Sequence, residues 1–174
     1  MASLRHLVIF TLLAASLALA TTGAQSIDPR LKRLFPAATS FSPKGGEPPH
    51  YKAYVAGRDG QQTLLGYAVW TTEVVPLERG YAGPIPILVG IDARGVLAGI
   101  VMGDHREPYG DFSIDRPQFA STFRAKDVRD PFRLGEDVDA VSRATITMAS
   151  AVRAIRNSAR RVAREFIAPP SSNP

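Results

Sequence analysis

Two stretches of apolar residues, each divided by a polar turn, dominate the middle of the chain. Residues 52–72 read KAYVAGRDGQQTLLGYAVWTT, in which a Gly-Arg-Asp-Gly turn separates two runs rich in β-formers. Residues 84–104 repeat the arrangement in PIPILVGIDARGVLAGIVMGD, with Asp92 to Gly95 as the turn. Such runs around short glycine-containing turns predict two β-hairpins. ERGYAGP at 78–84 contains two glycines and a proline, so we expect a loop between the hairpins.

The C-terminal part of the chain has helical periodicity instead. Apolar residues recur at steps of three and four, which predicts one long amphipathic helix that ends before Pro169 and Pro170. Its apolar stripe comprises Ala149, Val152, Ile155, Ala159, Val162 and Phe166. A second stripe on another face comprises Arg153, Arg156, Arg160 and Arg164.

Shorter elements are expected elsewhere. Leu31, Leu34 and Phe35 predict an ordered lead-in or a short helix within the Pro-, Gly- and Ser-rich residues 25–50. A second short helix is expected from Pro117 to Phe123, inside an otherwise irregular segment. The predicted fold is therefore α+β, a mostly antiparallel sheet built from hairpins with flanking helices and a long C-terminal helix.

The first 24 residues have the layout of a secretory signal peptide. Arg5 and His6 precede an apolar run of 14 residues, Leu7 to Ala20, and small residues follow. This run is shorter than the roughly 20 residues that span a bilayer, so cleavage after Ala20 or Ala24 is expected. We expect a periplasmic protein, with an uncleaved N-terminal anchor as the alternative. The predicted organisation is a signal peptide at 1–24, a lead-in segment at 25–50, one domain at 51–168 and a tail at 169–174.

Composition excludes several classes of function. The chain has no cysteine, which excludes disulfides, thiolate metal sites and cysteine nucleophiles. Its formal net charge is +5, but the arginines are concentrated near the C-terminus without interleaved aromatic residues, so no nucleic-acid partner is expected. His105 and Glu107, with Asp104 and Asp111 nearby, resemble a loose metal-ligand set. Loop residues of these types are more often solvated or capping, and no metal is predicted.

The segment at 139–149, DAVSRATITMA, marks the start of the long helix. With Ser142 as the N-cap, Thr145 is the third helical residue, where backbone N–H groups still lack partners. These donors and the helix dipole favour an anion such as a phosphate, which the Thr145 hydroxyl could also esterify. The alternative is a serine cap followed by two helix-compatible threonines. A hydrolase triad could be assembled from Asp139, Ser142 and His105, but the sequence contains no nucleophile elbow to support it. No catalytic residue is therefore predicted.

The seven residues from Asp139 to Thr145 resemble the flavinylation motif of FMN-binding domains, Asp-x-x-Ser-Gly-Ala-Thr. Such domains occur in the Rnf and Na⁺-translocating quinone reductase complexes and in NosR/NirI-type proteins. The NosR-type domain is the most similar of these, over roughly residues 30–166. The likeness extends to further segments in the expected order: LFPAA at 34–38, LGYAVWTTEVVP at 65–76, GYAGPIPILVGID at 80–92, HREP at 105–108 and VRAIRNSARRVAR at 152–164.

The resemblance implies a covalently bound cofactor. In this family a flavin transferase joins FMN, through its phosphate, to the hydroxyl of the final threonine of the motif, here Thr145. Arg143 replaces the usual glycine; we expect a helical first turn to accept it and its guanidinium to lie beside the phosphate. The predicted domain at 51–168 is thus an FMN-binding domain. Its predicted cofactor-binding residues are Asp139, Ser142, Arg143, Ala144 and Thr145, with Tyr81, Gly83, His105 and Glu107 near the flavin.

The function that follows is an exported FMN-binding electron-transfer protein, a carrier rather than an independent catalyst. Its expected partners are a flavin transferase for maturation and a redox partner protein, for instance a membrane respiratory complex. The arginine stripe on the last helix is either a solvated face or a docking surface for an acidic partner. The alternative function is a redox-sensing, flavin-sensing or assembly module of a membrane electron-transfer complex, with no turnover of its own.

Overall fold

Between residues 27 and 167, five antiparallel strands form a single sheet, in which every strand pairs with its neighbours in the sequence. The computed structural model of the protein describes residues 27–167, so the predicted signal peptide and tail lie outside the described residues. The order in the sheet is β1-β2-β3-β4-β5, and all pairings are antiparallel. The strands are β1 Ser40–Phe41, β2 Tyr51–Ala56, β3 Gln62–Trp70, β4 Ile87–Asp92 and β5 Leu97–Met102.

Both predicted hairpins are confirmed. β2 and β3 pair from Ala56 and Gln62 outward, next to the expected glycine turn. β4 and β5 are joined by the turn at Asp92 to Gly95, where the Asp92 carboxylate accepts hydrogen bonds from the N–H groups of Arg94 and Val96, both at 2.9 Å. Gly95 has a φ of 91°, a left-handed conformation that glycine adopts without strain. Local turn chemistry therefore fixes the register of this hairpin.

Helices cover both faces of the sheet. Within residues 27–167 they are α1 Pro29–Leu34, α2 Thr71–Val74, α3 Pro117–Thr122 and α4 Thr145–Phe166, with one 3₁₀ turn at Gly110–Phe112. Because side chains alternate along a strand, Val69 and Val89 belong to the main core beneath α4, whereas Ala68 and Leu88 belong to a second cluster with α1. The segment expected as a lead-in thus contributes both α1 and the edge strand β1.

The long helix α4 follows the predicted stripe closely. Val152, Ile155, Ala159 and Val162 are buried against the sheet, and the helix ends at Phe166, ahead of the two prolines. Between residues 27 and 167, no helix has the length and apolar character needed to cross a membrane.

Candidate functional site

Helix α4 starts later than the capping pattern predicted. Its N-cap is Ala144, which has no capping side chain, so Thr145 is the first helical residue and not the third. The predicted N-cap role of Ser142 is therefore wrong. The physical reason is Arg143, whose φ of 71° lies in the left-handed region and cannot belong to a right-handed helix. Ser142 and Asp139 are instead exposed residues of the preceding loop.

The backbone at Arg143 also corrects the expectation that this residue would occupy a helical first turn. A residue with a Cβ atom is strained in the left-handed region, by about 1–2 kcal/mol, whereas glycine is not. The glycine at this place in the resembled motif would adopt the same backbone freely. Arg143 itself is exposed, and it is followed by Ala144, which is buried in the main core.

The two threonines at the helix start have different environments. Thr145 is exposed. Thr147 is only 1% exposed, and its hydroxyl donates a hydrogen bond to the Glu107 carboxylate. The backbone N–H groups of residues 145–147 donate to no residue in the described part of the chain. Three free donors at the positive end of a 22-residue helix, beside an accessible hydroxyl, form a suitable site for a phosphate.

Glu107 joins three segments at this end of the molecule. It is 7% exposed, and its carboxylate accepts hydrogen bonds from the N–H groups of Tyr81 (3.0 Å) and Ala82 (2.8 Å) as well as from Thr147. Burial raises the pKa of Glu107, but the Thr147 hydroxyl and these two N–H groups lower it, and the result is a pKa below its ordinary value. Glu107 is therefore an anion that holds the loop at 80–83 against the start of α4.

Glycine at position 80 makes this arrangement sterically feasible. A Cβ atom there would lie 2.5 Å from Oε1 of Glu107 and 2.7 Å from Cδ1 of Ile85. The loop closes with a 2.7 Å hydrogen bond from the Gly80 N–H to the carbonyl of Gly83, which has a φ of 148°. Within this turn Tyr81 is 67% exposed, so its ring is available to a ligand.

His105 forms hydrogen bonds that hold the Glu107 segment in place. Its Nδ1 accepts the Glu107 N–H at 3.2 Å, and its Nε2 lies 2.9 Å from the Asp115 carboxylate. In the neutral ring the proton therefore sits on Nε2 and is donated to Asp115. Both ring nitrogens have protein partners, which fixes the turn that carries Glu107. Among the described residues, no three His, Cys, Asp or Glu side chains come together as a metal site.

The segments that meet at the helix start carry four exposed large apolar side chains, which together are called the apolar surface. They are Tyr81, Tyr109, Phe112 and Ile146, four of the six large hydrophobic residues that are exposed in the described chain. They lie on the loop, beside Glu107 and on the first turn of α4, and the Tyr109 and Phe112 rings contact each other at a centroid distance of 5.4 Å. Clustered exposed apolar side chains are typical of a binding surface. The sequence pattern pointed to Tyr81 but not to Tyr109, Ile146 or Thr147. Of these three, only Ile146, a large apolar residue off the buried stripe, could have been recognised from the sequence.

Free N–H donors, an accessible hydroxyl and exposed aromatic side chains together define an α+β module suited to a phosphorylated aromatic cofactor. Comparison with known families agrees: residues 80–160, which include the loop, Glu107 and most of α4, match the FMN-binding domain family. This part of the chain is therefore similar to the FMN-binding domains of that family.

A curated relative extends the match. The chain is 31% identical over 115 residues to a protein of Vibrio vulnificus (strain YJ016) that is named as one of the subunits of an ion-translocating oxidoreductase complex. The alignment covers 60% of this chain and 52% of that protein, so the chain spans about half the length of the relative.

Proposed function

We propose that the protein is an exported electron-transfer flavoprotein, with FMN joined through its phosphate to the Thr145 hydroxyl. The observation that carries this proposal is the contrast between the two threonines. Thr145 is exposed beside three backbone N–H groups that have no partner among the described residues, whereas Thr147 is buried and occupied by Glu107. A transferase could reach the first hydroxyl and not the second.

The residues around the helix start fit each part of the cofactor. The N–H groups of residues 145–147 bind phosphate oxygens, and the exposed Arg143 adds a positive charge next to them. The apolar surface, above all Tyr81 and Ile146, offers contact area for an aromatic ring. When bound, FMN supplies the redox chemistry; the protein holds and orients it. Ala144 and Gly83 contribute backbone and not side-chain chemistry, and Glu107 and His105 keep the loop in place.

Covalent attachment requires a phosphoester. The Oγ1 atom of Thr145 attacks the flavin-bearing phosphorus of a flavin–nucleotide pyrophosphate donor. The pyrophosphate P–O bond breaks, and the nucleoside monophosphate leaves with that electron pair while the hydroxyl proton of Thr145 is released. The protein thereby gains the mass of FMN less one water. We expect a flavin transferase to catalyse this step. A covalent bond prevents loss of the flavin to the surrounding medium, which suits the proposed location.

The electron donor or acceptor is proposed to belong to a membrane respiratory complex. The relative in Vibrio vulnificus is named as part of an ion-translocating oxidoreductase complex, and the similarity supports a comparable role here. Export to the periplasm is proposed from the signal-like residues 1–24, with an N-terminal anchor as the alternative. The NosR-like character expected from the sequence stays a prediction.

Intact mass spectrometry tests attachment and export together. The full gene is co-expressed with a flavin transferase, and the protein is isolated from the periplasm. We expect a polypeptide starting near Thr21 or Gln25 that carries one FMN less one water, on the peptide containing Thr145. Thr145→Ala should abolish the adduct, whereas Ser142→Ala, which removes the neighbouring loop hydroxyl, should retain it. An adduct that persists in Thr145→Ala would contradict the assignment, and full-length protein in washed membranes would favour the anchor.

A further inference from the structure

A cleft of about 860 Å³ lies at the far end of α4 from the FMN site. Three segments line it: the β4–β5 turn at 93–95, the loop at 127–129, and the C-terminal part of α4 between Arg160 and Ile167. Because α4 rises about 1.5 Å per residue, Arg160 is roughly 22 Å from Thr145 along the helix axis. The cleft is therefore separate from the FMN site, and its role does not depend on the proposed function.

The floor of the cleft is apolar. Val128 and Ile167 are partly buried and pack against the main hydrophobic core, and Ala163 also lines the cleft. Arg160 builds one wall: its guanidinium donates to the carbonyl oxygens of Val128 at 3.1 Å and Asp130 at 2.8 Å. These bonds hold the 127–130 loop against the helix, so the shape of the cleft is set without a ligand.

The rim of the cleft is cationic. Its lining contains four arginines, Arg94, Arg129, Arg160 and Arg164, against the single carboxylate of Asp127. Arg129 lowers the pKa of Asp127 to about 2, mainly through their side-chain hydrogen bond, so this carboxylate stays ionised and paired. Arg94 and Arg129 are 84% and 73% exposed, and exposed ion pairs of this kind are weak enough to rearrange.

Arg164 places a positive charge at the C-terminal end of α4, where the helix dipole is negative. It has no acidic partner within the described residues. The carbonyl end of a helix carries partial negative charge, which Arg160 and Arg164 offset. A ligand that binds here gains most from a negative group near Arg129 and Arg164 and an apolar body over Val128, Ala163 and Ile167.

We propose that this cleft binds an anionic amphiphile, a molecule with an unbranched apolar body and one terminal carboxylate. The volume lies within the range of roughly 300–1,000 Å³ typical of small-molecule sites, and an apolar lining with a few charged groups is their usual composition. The carboxylate pairs with Arg129 and Arg164, and the alkyl body covers the apolar floor. Neither part of this ligand contacts the FMN site.

Decanoate, used below its micellar concentration, is the probe, and decyltrimethylammonium is the matched cation with the same alkyl length. Isothermal titration on the full mature protein should show one decanoate bound per chain and at least tenfold weaker binding of the cation. Arg129→Ala and Arg164→Ala should each weaken decanoate binding about tenfold, because each removes a charge-assisted contact. Arg33→Ala, which removes an exposed arginine on α1, should leave binding unchanged.

The location of binding is tested by amide NMR. Decanoate should perturb signals from residues 93–95, 127–129 and 160–167 and leave the loop at 80–83 unchanged.

Equal affinity for the two probes, or unchanged affinity in both arginine variants, would overturn the proposal. A chain ending at Ile167 that binds decanoate tenfold more tightly than the full chain would also overturn it, because residues 168–174 would then be the occupant. So would decanoate-independent dimerisation that is lost on Ala163→Arg.

Discussion

At Arg143 the chain carries a long charged side chain on a backbone that suits glycine. The φ of 71° occurs where the chain passes from the exposed loop residue Ser142 to the buried Ala144, immediately before α4 begins. A left-handed conformation costs a residue with a Cβ atom about 1–2 kcal/mol. The substitution of arginine for the motif glycine therefore leaves strain next to Thr145, and it also places a positive charge where a phosphate would bind.

Arg143→Gly should stabilise the folded protein by about 0.5–1 kcal/mol, the strain relieved less the extra entropy that glycine has in the unfolded chain. Urea unfolding followed by circular dichroism measures this. Arg143→Ala is the matched control: it removes the guanidinium but keeps the strained backbone, so it should give no comparable gain. If alanine stabilises the protein as much as glycine, charge repulsion and not backbone strain is the cause.

Glu107 makes stability depend on pH. Its folded-state pKa lies below the ordinary value of 4.5, so the ionised form stabilises the fold above that pH, and this contribution is lost as the pH falls through the lower folded-state pKa. Glu107→Gln should cost about 1–3 kcal/mol at pH 7, because an amide cannot accept from all three donors. The difference from the wild type should shrink in acid.

Urea unfolding between pH 7 and pH 3 checks this dependence. The control is Glu136→Gln, which alters an exposed carboxylate paired only with Arg133 at 3.3 Å among the described residues and should change stability by less than about 0.5 kcal/mol. A wild type and a Glu107→Gln variant that lose stability in parallel would show that this carboxylate is not the group responsible.

Two features of the helix start could not be predicted at the residue level. Ser142 is a strong N-cap type, yet the backbone of the next residue displaces the helix start. Thr145 and Thr147 are equivalent in a sequence pattern. Their different burial depends on Glu107, 40 residues earlier in the chain, which only the folded structure brings to the helix.

At the scale of elements, both hairpins and the long helix could be predicted because each is encoded by its own periodicity and turn residues. The apolar cluster of Leu31, Leu34 and Phe35 also indicated a short helix at α1. The pairing of β1 with β2 was not, because a two-residue strand has no periodicity and its partner is set by tertiary contacts. The convergence of the loop at 80–83, the 105–110 segment and α4 was likewise beyond pattern analysis.

The arginine stripe on α4 is not a uniform docking surface. Arg153 pairs with Glu78 at 2.7 Å and lowers the pKa of that carboxylate, mainly through their side-chain hydrogen bonds. Arg160 is bonded to two backbone carbonyl oxygens. Arg156 has no acidic partner among the described residues, so it is the stripe member on the helix middle that remains available to a partner.

Charge reversal should separate these roles. Arg160→Glu should destabilise the protein by about 2–3 kcal/mol, because two hydrogen bonds from a charged donor are lost and a carboxylate then faces carbonyl oxygens. Arg156→Glu should change stability by no more than about 0.5 kcal/mol. Chemical denaturation of both variants gives the comparison. Equal stability of the two would mean that the contacts of Arg160 to the 127–130 loop contribute nothing to the fold.

At the scale of the whole molecule, the two ends of α4 lie at two different surfaces. Its first turn faces the proposed FMN site and the apolar surface, and its last turns line the arginine-rimmed cleft, about 30 Å away along the axis. The net charge of +5 creates an overall positive field, which attracts acidic partners at long range. An electron carrier needs such a partner to arrive quickly at the flavin end. A sensor or assembly module does not need a partner to associate rapidly.

Stopped-flow reduction of the FMN-loaded protein distinguishes carrier from sensor, with a reduced flavodoxin as an acidic one-electron donor. Arg156 lies roughly 16 Å from Thr145 along the helix, close enough to steer a partner to the flavin end. For a carrier, Arg156→Glu should slow reduction severalfold at 0.1 M salt and flatten the salt dependence. At 1 M salt, where the Debye length falls from about 10 Å to about 3 Å, the reduction rates of variant and wild type should converge.

Arg33→Glu, an equal charge change on α1 at the other face of the sheet, controls for net charge and should have a smaller effect on the reduction rate. If Arg156→Glu is reduced as fast as the wild type at both salt concentrations, α4 steers no partner and the sensor or assembly role is favoured.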